Sequence, residues 1–306
     1  MSEAPASTLS APAECLRSRV AGTFPDTSVA VADLDLPTIK TGPRAWPAVA
    51  RFLRDNPEMR FDLLVDMLGV DNLRRRAQAS RFELVVHLYS TSRDEHLRVK
   101  IRLDEKSPEL PSAVEIWPAA NWFEREAFDL FGFRFTGHPN LRRILCHQAF
   151  VGHALRKDYP AGQRWMCTAE DLYVPDLVRR ENDEADQFET VVVNLGPSHP
   201  ATHGTLRIVA RLDGEEIIEA ESEIGYLHRC FEKMAETHTW NQVIPYTDRL
   251  NYCSAFINNV AYCRTVERML GIEAPPRGAL IRTILSEFSR VMDHCVCIGA
   301  NLVDTG

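Results

Sequence analysis

His199 and His203 stand four residues apart in Asn194-Leu-Gly-Pro-Ser-His-Pro-Ala-Thr-His-Gly204, with Ser198 and Thr202 beside them. Two prolines and two glycines make a regular helix or strand interior improbable there, so the segment is expected to be a shaped loop. Imidazoles and hydroxyls on a rigid loop suit proton handling or contact with a polar ligand. By spacing alone, the same histidines read more readily as ordinary loop residues. Two further groups extend the chemistry. Tyr252 opens a pattern that reads as an amphipathic helix, and Asp304 lies near the last residue of the sequence. A tyrosine hydroxyl near pKa 10 and a histidine near 6.5 are both groups that can hydrogen-bond and release a proton. On the bare sequence, each of these two also has a structural reading.

The elements that must position these groups follow from periodicity. Trp46, Val49, Phe52 and Leu53 take helical spacing over Ala45 to Asp55. Phe82 to Tyr89 reads as a strand. Leu97, Val99, Ile101 and Leu103 alternate with Arg98, Lys100 and Arg102, the period of a half-buried strand. Ala113 to Trp117 reads as another short strand. Asn121 can cap a helix running through Leu130, with Gly132 ending it. This is an α+β layer domain. Further on, Leu206, Ile208, Ala210 and Leu212 alternate ahead of an Asp213-Gly214 hairpin signal. From Gly225 the pattern turns helical. Tyr252, Phe256, Val260, Cys263, Val266 and Leu270 form one stripe up to a Gly271 stop. After Pro275-Pro276, a second stripe runs through Ile281, Ile284, Leu285, Phe288, Met292, Cys295 and Gly299.

Composition sets the outer bounds. The 306 residues are 45% hydrophobic and 25% charged with a net charge of −8, which fits a globular chain of about two domains and argues against a nucleic-acid binder. Residues 1–14, rich in Ala, Pro and Ser, read as a disordered tail. Residues 15–160 are expected to form the first domain and 161–189 a solvated linker, since Glu181 to Glu189 holds five acids in nine residues. Residues 190–306 are expected to form a small β element leading into a helical bundle. No apolar run approaches the length of a membrane span, and the start lacks a signal-peptide pattern. The eight cysteines include no Cys-x-x-Cys pair, so iron–sulfur ligation by this chain is not expected. No glycine-rich dinucleotide fingerprint follows a strand, so NADH binding is not expected either.

The histidine loop resembles the opening motif of the 49-kDa-type (D) subunit of proton-pumping NADH:quinone oxidoreductase, respiratory complex I. The likeness continues through Ile224-Gly-Tyr-Leu-His-Arg229, Glu232-Lys233, Ile244-Pro-Tyr-Thr-Asp-Arg-Leu-Asn-Tyr252, Val266-Glu267, Pro275-Pro-Arg277, Ile281-Arg-Thr-Ile-Leu285, Glu287, Ser289-Arg290 and Asp304-Thr-Gly306. Upstream, Glu124-Arg-Glu126, Asp129-Leu-Phe-Gly132, Gly137-His-Pro139, Leu141-Arg-Arg-Ile-Leu145 and Leu155-Arg-Lys-Asp-Tyr-Pro160 look like the 30-kDa-type (C) subunit. C followed by D in one polypeptide is similar to the fused C/D subunit of some bacteria.

The resemblance implies that His203 and Tyr252 hydrogen-bond a quinone head group, and that Asp304 pairs with His203 and helps relay protons into the pump. It implies that Arg229 lies beside the terminal iron–sulfur cluster of a neighbouring subunit, with His228 a second polar contact near that interface. An ion pair of Arg229 with Glu232 or Glu236 is the alternative that spacing allows. His199 is expected to shape the loop. NADH and FMN chemistry and the iron–sulfur clusters belong, by the same resemblance, to partner subunits. The implied partners are the cluster-carrying B- and I-type subunits and the membrane arm, on the cytoplasmic face of the bacterial inner membrane. Glu124, Arg125, Glu126, Asp129, Arg142, Arg143, Arg156 and Lys157, with Trp117, Trp122 and Phe123, read as a docking surface of an assembly module.

Two other readings compete. The D subunit is related to the large subunit of nickel–iron hydrogenases, but Phe256 and Val266 stand where Cys253 and Cys263 would need partner thiolates for nickel. The D-type family also continues beyond the residues present here. The helical bundle is therefore expected to be incomplete and to expose an apolar stripe, which fits a truncated, non-catalytic docking module.

Overall fold

The computed structural model describes residues 16, 18–20, 23–24, 30–33, 36–75, 80–162, 168 and 190–306. The tail over 1–14 and nearly all of the linker over 161–189 lie outside these. Two compact units divide the chain, Met1–Val174 and Pro175–Gly306.

The first unit is built on a five-stranded sheet in the order β1 (Ala30–Asp33), β2 (Pro37–Thr41), β5 (Glu95–Leu103), β4 (Phe82–Ser90), β3 (Leu63–Asp71). Only the β2–β5 pairing is parallel. The expected alternation on β5 holds: Leu97, Val99, Ile101 and Leu103 are buried while the residues between them are not. Helix α1 (Trp46–Asp55) buries Trp46, Val49, Ala50 and Leu53 into the same core as β4 and β5. Trp46 stacks on Trp117 with ring centroids 6.2 Å apart. Helix α2 (Ala120–Phe131) packs against β3 and ends where Gly132 takes the left-handed conformation, φ 76°. Side chains at that φ are strained, which is why glycine ends the helix.

Three expectations for this unit are corrected. Ala113 to Trp117 is a turn and not a strand. The strand is the short β6 (Glu109–Pro111), paired in parallel with β7 (Arg134–Thr136). The amides of Ile116 and Trp117 both donate to the Ala113 carbonyl, and Glu124 accepts from Ala113 N at 2.6 Å and from Ser112 Oγ at 2.7 Å. Side-chain capture of those donors closes the segment on itself. Asn121 sits inside α2, whose cap position is Ala119 with no side-chain bond. The proposed docking surface of the C-type motif is interior in part: Glu124 and Asp129 are fully buried, and Arg125 and Trp117 nearly so, while Trp122 and Glu126 are exposed.

Those charges brace the unit from inside. Asp129 accepts from the backbone amides of Ile144, Leu145 and Cys146 at 2.8–3.0 Å and from Arg143 at 2.7 Å. Arg143 in turn donates to the carbonyls of Phe150 and Gly152. A stretch without helix or strand over 137–160 is thereby fastened to α2, because buried backbone donors need partners wherever regular structure does not supply them. Burial without a facing cation pushes the Glu124 carboxyl up to about 7, against which its two hydrogen bonds act.

The second unit opens with an antiparallel sheet in the order β10 (Glu216–Glu223), β9 (Arg207–Asp213), β8 (Val191–Leu195). The Asp213-Gly214 hairpin forms as expected. On β9 the fully buried residue is Val209, from the phase opposite to the expected one, with Ala210 beside it. Four helices follow: α3 (Phe231–Ala235), α4 (Trp240–Thr247), α5 (Ala255–Leu270) and α6 (Pro276–Thr305). Gly271 ends α5 in the left-handed region, and Pro276 opens α6. Helix α5 buries no residue and α6 only Ser289, so the stripe through Ile281, Ile284, Leu285, Phe288 and Met292 is exposed.

Candidate functional site

The loop after β8 is shaped by its own residues. Gly196 has φ 88°, and a Cβ there would lie 1.9 Å from the Leu206 carbonyl oxygen, so only glycine lets the two strands of chain pass. Pro200–Thr202 forms a single tight 3-10 turn. His199 caps it, its Nδ1 accepting from Ala201 N at 3.2 Å, which is the loop-shaping role expected of it. The Thr202 hydroxyl donates to the carbonyls of His199 (2.8 Å) and Gly204 (3.0 Å).

His203 follows that turn at φ 48°, ψ 29°, a left-handed conformation that histidine adopts more readily than most side chains. The turn projects its imidazole outward, and Nε2 lies 2.7 Å from Asp304 Oδ2. Both side chains stay about half exposed, at 47% and 52%. Asp304 stands in the last turn of α6, where the helix dipole disfavours an acid. Sequence separation between the two is a hundred residues, and the fold brings them into contact.

Tyr252 does not open a helix. Asn251 accepts from Cys253 N and donates to Ser254 Oγ at 2.6 Å, a side-chain turn that delays the start of α5 until Ala255. Tyr252 rides on this turn, 59% exposed, and its hydroxyl makes no hydrogen bond to the described residues. Arg229 does not pair with Glu232 or Glu236. Its guanidinium lies over the Tyr246 ring, 5.3 Å from the centroid. Tyr246 is itself stacked on His238 and hydrogen-bonded to His238 Nε2 at 2.9 Å. An arginine held on an aromatic face keeps its charge while its orientation is restricted. His228 is half-buried just before it, its amide bonded to the Gly225 carbonyl.

Sequence reasoning missed two groupings. Arg282 and Glu267 form a two-bond ion pair at 2.6 and 2.8 Å that joins α5 to α6. Their motif positions were noted, but not that they face each other. Beside them a cleft of 1170 Å³ opens, with Arg264, Arg268 and Arg290 among its walls and none of the candidate residues. The second is a set of polar side chains at the base of the histidine loop: Asn194, Arg207, Glu223 and Tyr226. Among the described residues no three of His, Cys, Asp or Glu converge as a metal site, and no helix is long and apolar enough to cross a membrane.

Comparison with known proteins places both units. Residues 39–164 match the family model for the respiratory-chain NADH dehydrogenase 30 Kd subunit. The fused C/D subunit of NADH-quinone oxidoreductase from Bdellovibrio bacteriovorus is 48% identical over 266 residues, 85% of this chain and 45% of that protein. Along most of its length, the chain is similar to this fused C/D subunit. The corresponding C/D subunit of Methylococcus capsulatus is 42% identical over 274 residues, covering 84% of this chain and 46% of its own length. The chain thus spans about half the length of the relatives it matches. Among solved structures, the trypsin-resistant fragment (1–134) of Nqo5 aligns at 26% identity with 42% of this chain and 98% of its own, at a TM-score of 0.36.

Proposed function

We propose that this chain is part of the quinone-reducing subunit of a proton-translocating NADH:quinone oxidoreductase. In this reading electrons arrive from iron–sulfur clusters held by B- and I-type partner subunits, and the chain lies peripherally on the cytoplasmic face of the inner membrane. The observation that carries it is the contact between His203 Nε2 and Asp304 Oδ2 at 2.7 Å.

The chemistry follows from which ring nitrogen is engaged. With Nε2–H donating to Asp304, only Nδ1 of His203 is left for a substrate. A quinone carbonyl is an acceptor, so Nδ1 can hydrogen-bond it only as the imidazolium. When the Nδ1 proton passes to the substrate oxygen, the neutral ring keeps its Nε2–H bond to Asp304 and stays oriented for the next proton. The free hydroxyl of Tyr252 would serve as donor to the second carbonyl. Arg229, restrained over Tyr246, supplies a cation of the kind that favours a reduced cluster in a neighbouring subunit. The first unit, with charges turned inward as braces, gives the partner subunits a rigid body to assemble on.

Replacing Tyr252 by Phe in the assembled complex tests this. Quinone reductase activity should fall at least tenfold while NADH oxidation with ferricyanide survives. Equal loss of both would make Tyr252 structural and remove the reading. The exposed α6 stripe favours one alternative, a docking module without catalysis.

A further inference from the structure

Asn194 is the last residue but one of β8 before the histidine loop, and Arg207 begins β9 after it. Arg207 Nε donates to Asn194 Oδ1 at 2.8 Å, so one bond closes the loop at its base. Asn194 Nδ2 also reaches the Gly196 carbonyl at 3.3 Å, extending the clasp into the loop itself. The guanidinium is held from the other side. Arg207 and Glu223 are directly opposed in the β9–β10 register, and Arg207 Nη1 donates to Glu223 Oε2 at 3.0 Å. The same carboxylate oxygen accepts from the Tyr226 hydroxyl at 2.8 Å. Tyr226 stands three residues before Arg229 in the chain.

We propose that Glu223 is a positioning residue for quinone reduction: it holds Arg207, and through it the base of the loop that carries His203, and ties that loop to the Tyr226–Arg229 segment. The inference rests on the reading of His203 as a proton donor to quinone. Three features make Glu223 suited to this and not simply a surface ion pair. Arg207 and Glu223 are only 22% and 26% exposed, which limits screening. Each of its two donors comes from a different chain segment, so losing the carboxylate releases both. Burial and the Glu223 carboxylate push the Tyr226 hydroxyl above its ordinary pKa, so it remains a donor across the physiological range. Nothing in the arrangement places Glu223 on the substrate, and it acts only through the loop. An ångström of drift in a proton donor is enough to lower turnover strongly.

A double-variant experiment on the assembled complex decides this, with short-chain ubiquinone and ferricyanide as the two electron acceptors. Glu223→Ala should lower kcat for ubiquinone about tenfold and leave ferricyanide reduction unchanged. In a His203→Gln background, Glu223→Ala should cause no further loss, because a residue that acts through His203 has nothing left to position. If the two losses multiply, Glu223 has a separate structural effect and the inference is overturned. If His203→Gln alone leaves ubiquinone reduction intact, the quinone reading of the loop fails first, and the inference with it. Should Glu223→Ala prevent assembly, Tyr226→Phe deletes a single hydroxyl from the same carboxylate. It is expected to lower kcat about threefold with ferricyanide reduction unchanged, and wild-type kcat would overturn the proposal.

Discussion

Replacing Glu124 by Gln should change how the stability of the first unit depends on pH. The carboxyl is fully buried, held near 7 against an ordinary 4.5 by loss of solvation, and receives only Ala113 N and Ser112 Oγ. In the unfolded chain the group ionises at its ordinary value, whereas in the fold it keeps its proton to about neutrality. The stability it contributes is therefore fully present below pH 4.5 and is lost as pH rises toward 7. A shift of that size corresponds to about 3 kcal/mol, of which about 2.5 falls between pH 5 and pH 8. Glutamine reproduces the neutral acid, with Oε1 accepting from Ala113 N and Nε2 donating to Ser112 Oγ, and it does not titrate. Denaturant midpoints for the first unit's transition, multiplied by m, should show wild type and variant nearly level at pH 5. At pH 8 the variant should be the more stable by about 2 kcal/mol. Parallel pH profiles for the two proteins would refute the argument, since they would mean that Glu124 titrates alike in both states.

Two other substitutions separate structure from chemistry. Asp129→Ala leaves three backbone amides and the Arg143 guanidinium in the interior without their acceptor. A loss of about 3–5 kcal/mol is expected, enough to unfold a marginal unit, and thermal unfolding of the purified chain would record it. Asp304→Asn breaks a half-exposed pair and should cost less than about 1 kcal/mol of stability. Quinone reduction in the complex should nonetheless fall, because an amide holds the His203 ring in place more weakly than a carboxylate does. A thermal midpoint lowered by many degrees with catalysis intact would show that the pair is a structural clamp.

Much of the fold was legible because local pattern and burial agree. Helix α1, strands β4 and β5, the Asp213-Gly214 hairpin and the Gly132 and Gly271 stops each rest on spacing or backbone freedom that needs no tertiary partner. The errors fall where a side chain from elsewhere captures the backbone. Glu124, eleven residues downstream, holds the Ala113 amide and turns an apparent strand into a turn. Asn251 does the same on a smaller scale and moves the start of α5 past Tyr252. The buried charges of the C-type motif were misread for a related reason. A charged residue on an amphipathic pattern looks solvated unless the backbone donors it satisfies are known, and those of Asp129 lie up to seventeen residues away.

The clasp at the loop base shows the same limit at the level of register. Strict pairing outward from Asp213 and Glu216 would set Ser222 opposite Arg207 and turn Glu223 to the other face. The β-bulge between Ile217 and Glu219 adds one residue to β10 and brings Glu223 opposite Arg207 instead. A one-residue shift reverses which side chains share a face, so the bulge decides whether the loop has an anionic anchor at all. Periodicity carries no sign of such a bulge, whereas the His203 motif carries its own text. The candidate His203 is thus carried by a motif in the sequence, while the clasp at the base of its loop is read from the pairing of the strands.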